Sequence, residues 1–197
     1  MKQHLQVISL VIILASALSS CTSTASPTPT ATAVPPTETA QPFTLTSTAF
    51  EANALIPERY ACHGEKLSPA LAWSNPPANT QSFALIMEDP DAVKVVGYIW
   101  DHWLLFNIPA STLSLAEGIA SKAELPDGSR HGQNSSKALG YGAPCPPNGQ
   151  THTYRFTVYA ADTLLELEPG ATKAEIMQAL EGHILAQAEL DGRYTSP

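Results

Sequence analysis

Two histidines and a pair of aspartates are the side chains of this sequence with the greatest potential for chemistry. Asp89 and Asp91 belong to an Asp-Pro-Asp turn, His102 follows the indole of Trp100 by two positions, and His152 closes a loop rich in proline. Each polar group lies at the predicted end of a β-strand next to a rigid or aromatic neighbour. The sequence therefore predicts one shared polar pocket.

The two histidines are predicted to lie beside carboxylates. A carboxylate beside an imidazole favours the imidazolium form and raises its pKa. His102 and His152 are therefore predicted to be charged. Two imidazoles and a carboxylate could instead hold a metal ion with open coordination positions, as in a metalloenzyme.

The loop before His152 is predicted to be stiff. It reads YGAPCPPNGQ, and Pro144, Pro146 and Pro147 each fix one φ angle and remove one backbone donor. Such a loop can present backbone amides and His152 to a ligand with little loss of conformational entropy on binding.

Three apolar runs must position these groups as strands: 82–87 (SFALIM), 103–108 (WLLFNI) and 153–160 (TYRFTVYA). The first two are almost continuously apolar, which predicts central strands covered on both faces. In the third run, the even-numbered positions from His152 to Val158 are predicted to share one face.

One helix is well signalled further along the chain. Thr172 to Glu175 is a capping-box pattern, and Ile176, Leu180 and Ile184 follow at helical spacing, so the helix is expected to lie against the sheet. Residues 111–140 have weak periodicity and are predicted to be a long, functional loop.

Composition limits the class of protein. The chain has 197 residues, of which 44% are hydrophobic, enough for one sizeable core. Its formal net charge of -8 argues against nucleic acid as a partner, because phosphates require a basic surface.

The N-terminal segment is predicted to export the protein. Residues 1–20 have a basic start and a short apolar run, as in a signal peptide, and Leu-Ser-Ser-Cys ending at Cys21 resembles a bacterial lipobox with a lipidated cysteine. An ordinary secretory signal cleaved near Ala25 is the alternative. Residues 21–42, rich in Thr, Ser and Pro, are predicted to be a disordered linker, and 43–197 the folded domain.

Two cysteines are left after Cys21. Cys62 and Cys145 form an even pair in a chain predicted to enter an oxidising compartment, and a disulfide between them is predicted. Two small buried thiols are the alternative.

Five segments together resemble the phosphatidylethanolamine-binding protein (PEBP) family, in particular its bacterial Raf-kinase-inhibitor-like branch. They are LSPALAW, MEDPDA, DHWLLFNIP, GYGAPCPPNGQTH and YRFTVYAAD, in this order between Phe43 and Tyr194. The resemblance implies a mainly β fold, with a large central antiparallel β-sheet, a smaller second sheet and a C-terminal α-helix. It also implies a small pocket for anions such as the phosphate of a phospholipid headgroup. Charged His102 and His152 would bind such an acidic ligand more strongly as the pH falls from about 8 to about 6.

Carried over motif by motif, the resemblance implies a set of ligand-binding residues. They are Asp89, Asp91, Trp100, His102, Cys145, Pro146, His152 and Tyr154. The chain departs from animal members at two of the matching positions, with Cys145 where they usually have glycine and Thr153 where they have arginine.

The interpretation favoured by these observations is a membrane-anchored, non-catalytic binding or regulatory protein without a cofactor. Its partners would be a small anion or phospholipid headgroup and, through lipidated Cys21, the membrane. An extracytoplasmic inhibitor of another protein is an alternative, since some eukaryotic relatives are inhibitors. A cysteine hydrolase with Cys145 as nucleophile and His152 as base is a further alternative.

Overall fold

A computed structural model describes residues 41–197. The predicted signal peptide 1–20, the predicted lipidation site Cys21 and the predicted linker up to residue 40 lie outside the described residues. Within 41–197, no helix is both long enough and apolar enough to cross a membrane.

Two antiparallel β-sheets form the body of the domain. The larger sheet has the strand order β6-β4-β3-β7-β8, and the smaller has the order β1-β2-β5. The mainly β fold with a large and a smaller sheet, expected from the family resemblance, is thereby confirmed. The strands are β1 (Thr44–Ser47), β2 (Leu71–Ser74), β3 (Ser82–Asp89), β4 (Trp100–Pro109), β5 (Ser114–Leu115), β6 (Arg130–His131), β7 (Thr151–Ala161) and β8 (Ile184–Thr195).

Strand β3 lies at the centre of the larger sheet and is buried on both faces, as its apolar run predicted. Phe83, Leu85 and Met87 face a core that also includes side chains of the smaller sheet. Ala84 and Ile86 face a second core on the opposite side. The period of two along a strand thus divides one apolar run between two cores.

The even-numbered side chains of β7 join the first of these cores. Tyr154, Phe156 and Val158 are all buried in it, as the sequence predicted. Because β7 pairs with β3 over Ser82 to Glu88, the first residues of β7 extend past that pairing toward the turn at Asp89. His152 is therefore brought close to that turn.

Helix α2 (Lys173–Leu180) packs against the second core through Ile176 and Leu180. Its capping box is formed: the Thr172 side chain accepts from the Glu175 amide, and the Glu175 side chain accepts from the Thr172 amide. The prediction that the helix would include Ile184 is wrong. The chain takes a positive φ of 79° at Gly182, which ends the helical path, and Ile184 begins β8.

Strand β8 was not predicted from the sequence, although buried and exposed residues alternate along its second half. Ala188, Leu190, Gly192 and Tyr194 face inward, and the residues between them do not. Gly192 obscures the pattern, but it is needed there. A β-carbon at this position would lie 2.7 Å from side-chain atoms of Phe50 and Ile56.

Two further helical segments follow β3. Pro90–Ala92 forms a 3₁₀ turn, and Val93–Val96 forms the single-turn helix α1, which Gly97 ends in a left-handed conformation. The predicted long loop 111–140 contains β5 and β6 and is otherwise irregular.

A candidate anion-binding cavity

One cavity of about 460 Å³ collects most of the side chains predicted to bind a ligand. It lies where β3 ends, β4 and β7 begin, and the Pro-rich loop passes between them. Its walls are formed by Asp89, Ala92, Val95, Val96, Trp100, His102, Ser136, Gly142, Ala143, Cys145, Pro146, Pro147 and His152.

Asp89 and His152 form a buried pair at the inner end of this cavity. Nδ1 of His152 donates to Oδ2 of Asp89 at 2.7 Å, and both side chains are almost fully buried. Oδ1 of Asp89 accepts from the Ala92 amide at 3.0 Å, so the same carboxylate also caps the 3₁₀ turn. The carboxylate thereby fixes the ring orientation of His152, whose Nε2 lies 3.4 Å from Oε1 of Gln150 in a long contact.

His102 is held by the backbone of the Pro-rich loop. Its Nδ1 donates to the Gly142 carbonyl at 2.8 Å, and the Gly142 amide donates to the His102 carbonyl at 2.8 Å. A β-carbon at position 142 would lie 2.9 Å from that carbonyl oxygen, so only glycine permits this approach. With Nδ1 engaged, Nε2 is the ring nitrogen through which His102 can meet a ligand.

The charge state of His102 differs from the sequence prediction. Burial lowers the pKa of His102 below its ordinary 6.5, an effect larger than the opposing effects of the Gly142 hydrogen bond and the nearby Asp89 charge. The neighbouring His152 lowers it slightly further. His102 is therefore neutral at pH 7, because desolvation outweighs the carboxylate that was expected to charge it.

The Pro-rich loop is fastened to the segment after the 3₁₀ turn Glu58–Tyr60. The predicted disulfide is present between Cys62 and Cys145, whose Cα atoms lie 5.4 Å apart. The Cys62 amide also donates to the Pro144 carbonyl at 3.0 Å. The Tyr141 hydroxyl donates to the Tyr60 carbonyl at 2.9 Å, so the loop is tied down on both sides of Pro144.

Asp91 does not line the cavity, although it was predicted to contact the ligand. Its Oδ2 accepts from the Thr153 amide at 2.9 Å, and its Oδ1 pairs with Nζ of Lys94 at 2.8 Å. Lys94 first, and the Thr153 amide second, lower the pKa of the Asp91 carboxyl. Asp91 thus provides a hydrogen-bond acceptor for Thr153, a residue of β7 that lies beyond the end of the β3–β7 pairing.

Tyr154 lies behind the cavity wall. Its ring meets the His102 ring edge to face at a centroid distance of 5.1 Å. The hydroxyl is buried near the Asp89 carboxylate and the Cys145 amide, without a well-formed hydrogen bond to either. Burial, followed by the Asp89 charge, raises the pKa of Tyr154 far above its ordinary value. Tyr154 can support His102 but has no place in the cavity wall.

Several wall residues were missed by sequence reasoning. Val95 and Val96 come from α1, which is too short to show a periodic pattern. Ser136 comes from the loop 111–140, where the Asn134 side chain accepts from the Ser136 amide at 3.0 Å and shapes a tight turn. Asn and Ser are common in turns, but no local signal shows that this turn contributes to the cavity wall.

The family model of the phosphatidylethanolamine-binding protein matches residues 46–195. The chain belongs to the phosphatidylethanolamine-binding protein family. The family resemblance found in the sequence motifs is thus confirmed, and PEBP membership supports a binding protein.

Individual PEBP relatives agree with this assignment. The chain is 48% identical over 150 residues to a UPF0098 protein of Methanothermobacter thermautotrophicus, covering 76% of this chain and 97% of that protein. The PEBP homolog CT736 of Chlamydia trachomatis has a crystal structure that superposes with a TM-score of 0.71 at 38% identity, covering 79% of this chain and 98% of that one. In both relatives the matched region is nearly the whole protein, and CT736 folds in that form.

A third relative concerns the predicted lipid anchor. The chain is 38% identical over 166 residues to LppC of Mycobacterium tuberculosis, which is described as a lipoprotein, covering 84% of this chain and 78% of that protein.

The thiol that a cysteine hydrolase would need is engaged in this PEBP domain. Within residues 41–197, the one group of three His, Cys, Asp or Glu side chains with ligand atoms within 4.8 Å of one another is Cys62, His63 and Cys145. Its two sulfur atoms are bonded to each other, so they offer neither a thiolate nucleophile nor a pair of thiolate metal ligands in this state.

Proposed function

We propose that the protein is a non-catalytic binding protein whose cavity takes the phosphate group of a small anion or of a phospholipid headgroup. The observation that carries this proposal is the convergence of Asp89, His102 and His152 on one small cavity. Both imidazole rings are held through Nδ1, so Nε2 of His102 can meet a ligand, and Nε2 of His152 can do so by exchanging its 3.4 Å contact with Gln150 for the ligand.

Binding is proposed to change the charge of His102. Without a bound anion, burial lowers the pKa of His102 and keeps the ring neutral at pH 7. A bound phosphate places a negative charge next to the His102 ring and stabilises its protonated form, so the pKa of His102 rises in the complex. Asp89 meanwhile holds His152 in place.

The affinity for a phosphodiester is therefore expected to rise as the pH falls from about 8 to about 6, by at most about tenfold per pH unit for each proton taken up. Glycerophosphoethanolamine is the suitable probe, because its phosphodiester keeps one negative charge throughout this range. Isothermal titration calorimetry of the domain at several pH values, in two buffers of different ionisation enthalpy, measures both affinity and proton uptake.

His102→Asn is the matched variant. The Asn amide can still donate to the Gly142 carbonyl but cannot titrate, so we expect weaker binding and a flatter pH profile. Affinity that rises with pH in the unaltered domain, or no heat of binding at millimolar probe, would refute the proposal.

We further propose that Cys21 carries a lipid that holds the protein on the outer side of a membrane. The lipobox-like sequence before Cys21 and the lipoprotein description of the relative LppC support this. Cells grown with labelled palmitate are expected to label the full-length chain, and Cys21→Ser is expected to abolish the label. The intact mass of the mature protein provides a second readout. An unlipidated N-terminus near Ala25 would identify an ordinary secreted protein instead.

A further inference from the structure

The rim of the cavity carries a cluster of exposed apolar side chains. Val93, Val95, Val96, Tyr98 and Ile99 are each 40–51% exposed. We call these five residues the apolar rim. Elsewhere among residues 41–197, the large exposed apolar residues are far apart in the sequence, except for the neighbours Ile184 and Leu185. Single exposed apolar residues are ordinary, whereas a cluster of them indicates a contact surface.

The apolar rim is continuous with the cavity. Val95 and Val96 form part of the cavity wall as well as of the outer surface. The Tyr98 ring stacks on the ring of Trp100, another wall residue, at a centroid distance of 5.9 Å. One surface thus leads from the buried Asp89–His152 pair outward to exposed valines and an exposed tyrosine. Such a surface is complementary to an amphiphile with a polar head and apolar chains.

Electrostatics favours a surface without net charge as the partner. Lys94 is the one charged residue between Val93 and Ile99, and its Nζ pairs with Asp91 at 2.8 Å. The chain as a whole carries a formal net charge of -8. Acidic lipids attract clusters of basic residues, which this rim does not contain. A zwitterionic phospholipid surface imposes no such requirement.

The size and composition of the apolar rim also indicate what kind of partner binds to it. Five half-exposed side chains provide a few hundred Å², well below the roughly 800 Å² per partner of a stable protein interface. Tyrosine and tryptophan, in contrast, are the side chains enriched at the boundary between headgroups and acyl chains.

We propose that the apolar rim docks on the surface of a zwitterionic phospholipid bilayer, which brings the headgroup of a bilayer lipid into the cavity. This rests on the proposed function of the cavity and adds the physical form of the ligand, a lipid within a membrane. Val93, Tyr98 and Ile99 enter the outer part of the bilayer, while Val95 and Val96 line the passage from the acyl region to the two histidines.

Vesicle cosedimentation tests the proposal with the domain 41–197, which carries no lipid anchor. The probe is sucrose-loaded vesicles of phosphatidylcholine and phosphatidylethanolamine. Val93 and Ile99 do not line the cavity, so the double variant V93S/I99S is expected to bind vesicles about tenfold more weakly or worse. Its affinity for soluble glycerophosphoethanolamine should stay within about twofold of the unaltered domain, since the cavity wall is intact.

The double variant L55S/L113S is the matched control. It removes two exposed leucines remote in sequence from the rim, and it should bind vesicles like the unaltered domain. Replacing part of the phosphatidylcholine by phosphatidylglycerol, which is acidic, is not expected to strengthen binding.

Three results would overturn the docking proposal. They are binding of glycerophosphoethanolamine without binding of vesicles, vesicle binding by V93S/I99S equal to that of the unaltered domain, and sedimentation of the domain as a dimer that V93S/I99S dissociates. The last would make a second copy of the chain the occupant of the rim. Rim-dependent vesicle binding without any affinity for glycerophosphoethanolamine would instead refute the proposed headgroup cavity and leave the docking surface standing.

Discussion

Replacing Asp89 by alanine is expected to lower the free energy of unfolding by about 2–6 kcal/mol, because each buried donor left without an acceptor costs about 1–3 kcal/mol. Asp89 is only 4% exposed and accepts from both Nδ1 of His152 and the Ala92 amide. Its loss leaves two buried donors without an acceptor. Urea unfolding followed by tryptophan fluorescence measures the change.

The same carboxylate is expected to control ligand binding. Asp89→Asn keeps the volume of the side chain but replaces one acceptor oxygen by a donor, so it no longer holds His152 as the carboxylate does. We expect glycerophosphoethanolamine to bind at least about 30-fold more weakly, the equivalent of about 2 kcal/mol.

Asp91 offers a matched control two positions away. It is also an aspartate with a backbone amide and a charged partner, but it does not line the cavity. Asp91→Asn should leave the affinity within about threefold and cost no more than about 1 kcal/mol of stability, as is typical of an exposed ion pair. Equal losses of affinity in the two variants would show that His152 is not oriented for the ligand by Asp89.

Removal of the Cys62–Cys145 disulfide is expected to lower the free energy of unfolding by about 3–4 kcal/mol. The two cysteines are 83 positions apart, and closing so long a loop removes much conformational entropy from the unfolded chain. Both cysteines are at least partly exposed, so the double variant C62A/C145A loses little packing. Urea unfolding of this variant, with and without reductant, gives the value.

Two controls make this prediction specific. Reductant should lower the stability of the unaltered domain to that of C62A/C145A and leave C62A/C145A unchanged. The variant should also bind glycerophosphoethanolamine more weakly, because Cys145 belongs to the loop that holds His102 through Gly142. A loss of less than about 1 kcal/mol would indicate that the hydrogen bonds of Pro144 and Tyr141 alone fix the loop.

Local patterns were sufficient to identify much of the fold. The apolar run 82–87 predicted the central strand β3, and Thr172 with Glu175 predicted the start of α2. Both features depend on neighbours in the chain. Local patterns did not predict β8, because Gly192 interrupts its alternation of apolar and polar residues. They also did not predict the end of α2, because the left-handed conformation of Gly182 ends the helical path.

By itself, the sequence determined which side chains could form an anion site: the acidic turn at Asp89, the two histidines and the stiff loop with Cys145. Only the tertiary structure decided their roles. In the structure, Asp89 rather than Asp91 is bonded to His152. Tyr154 lies behind His102 and does not line the cavity, whereas Ser136 and two valines of α1 do. The tertiary structure also decided that burial lowers the pKa of His102 and keeps the ring neutral at pH 7, since a pKa depends on how much water packing removes. Distances and desolvation arise from contacts between segments far apart in the chain, and local sequence does not encode them.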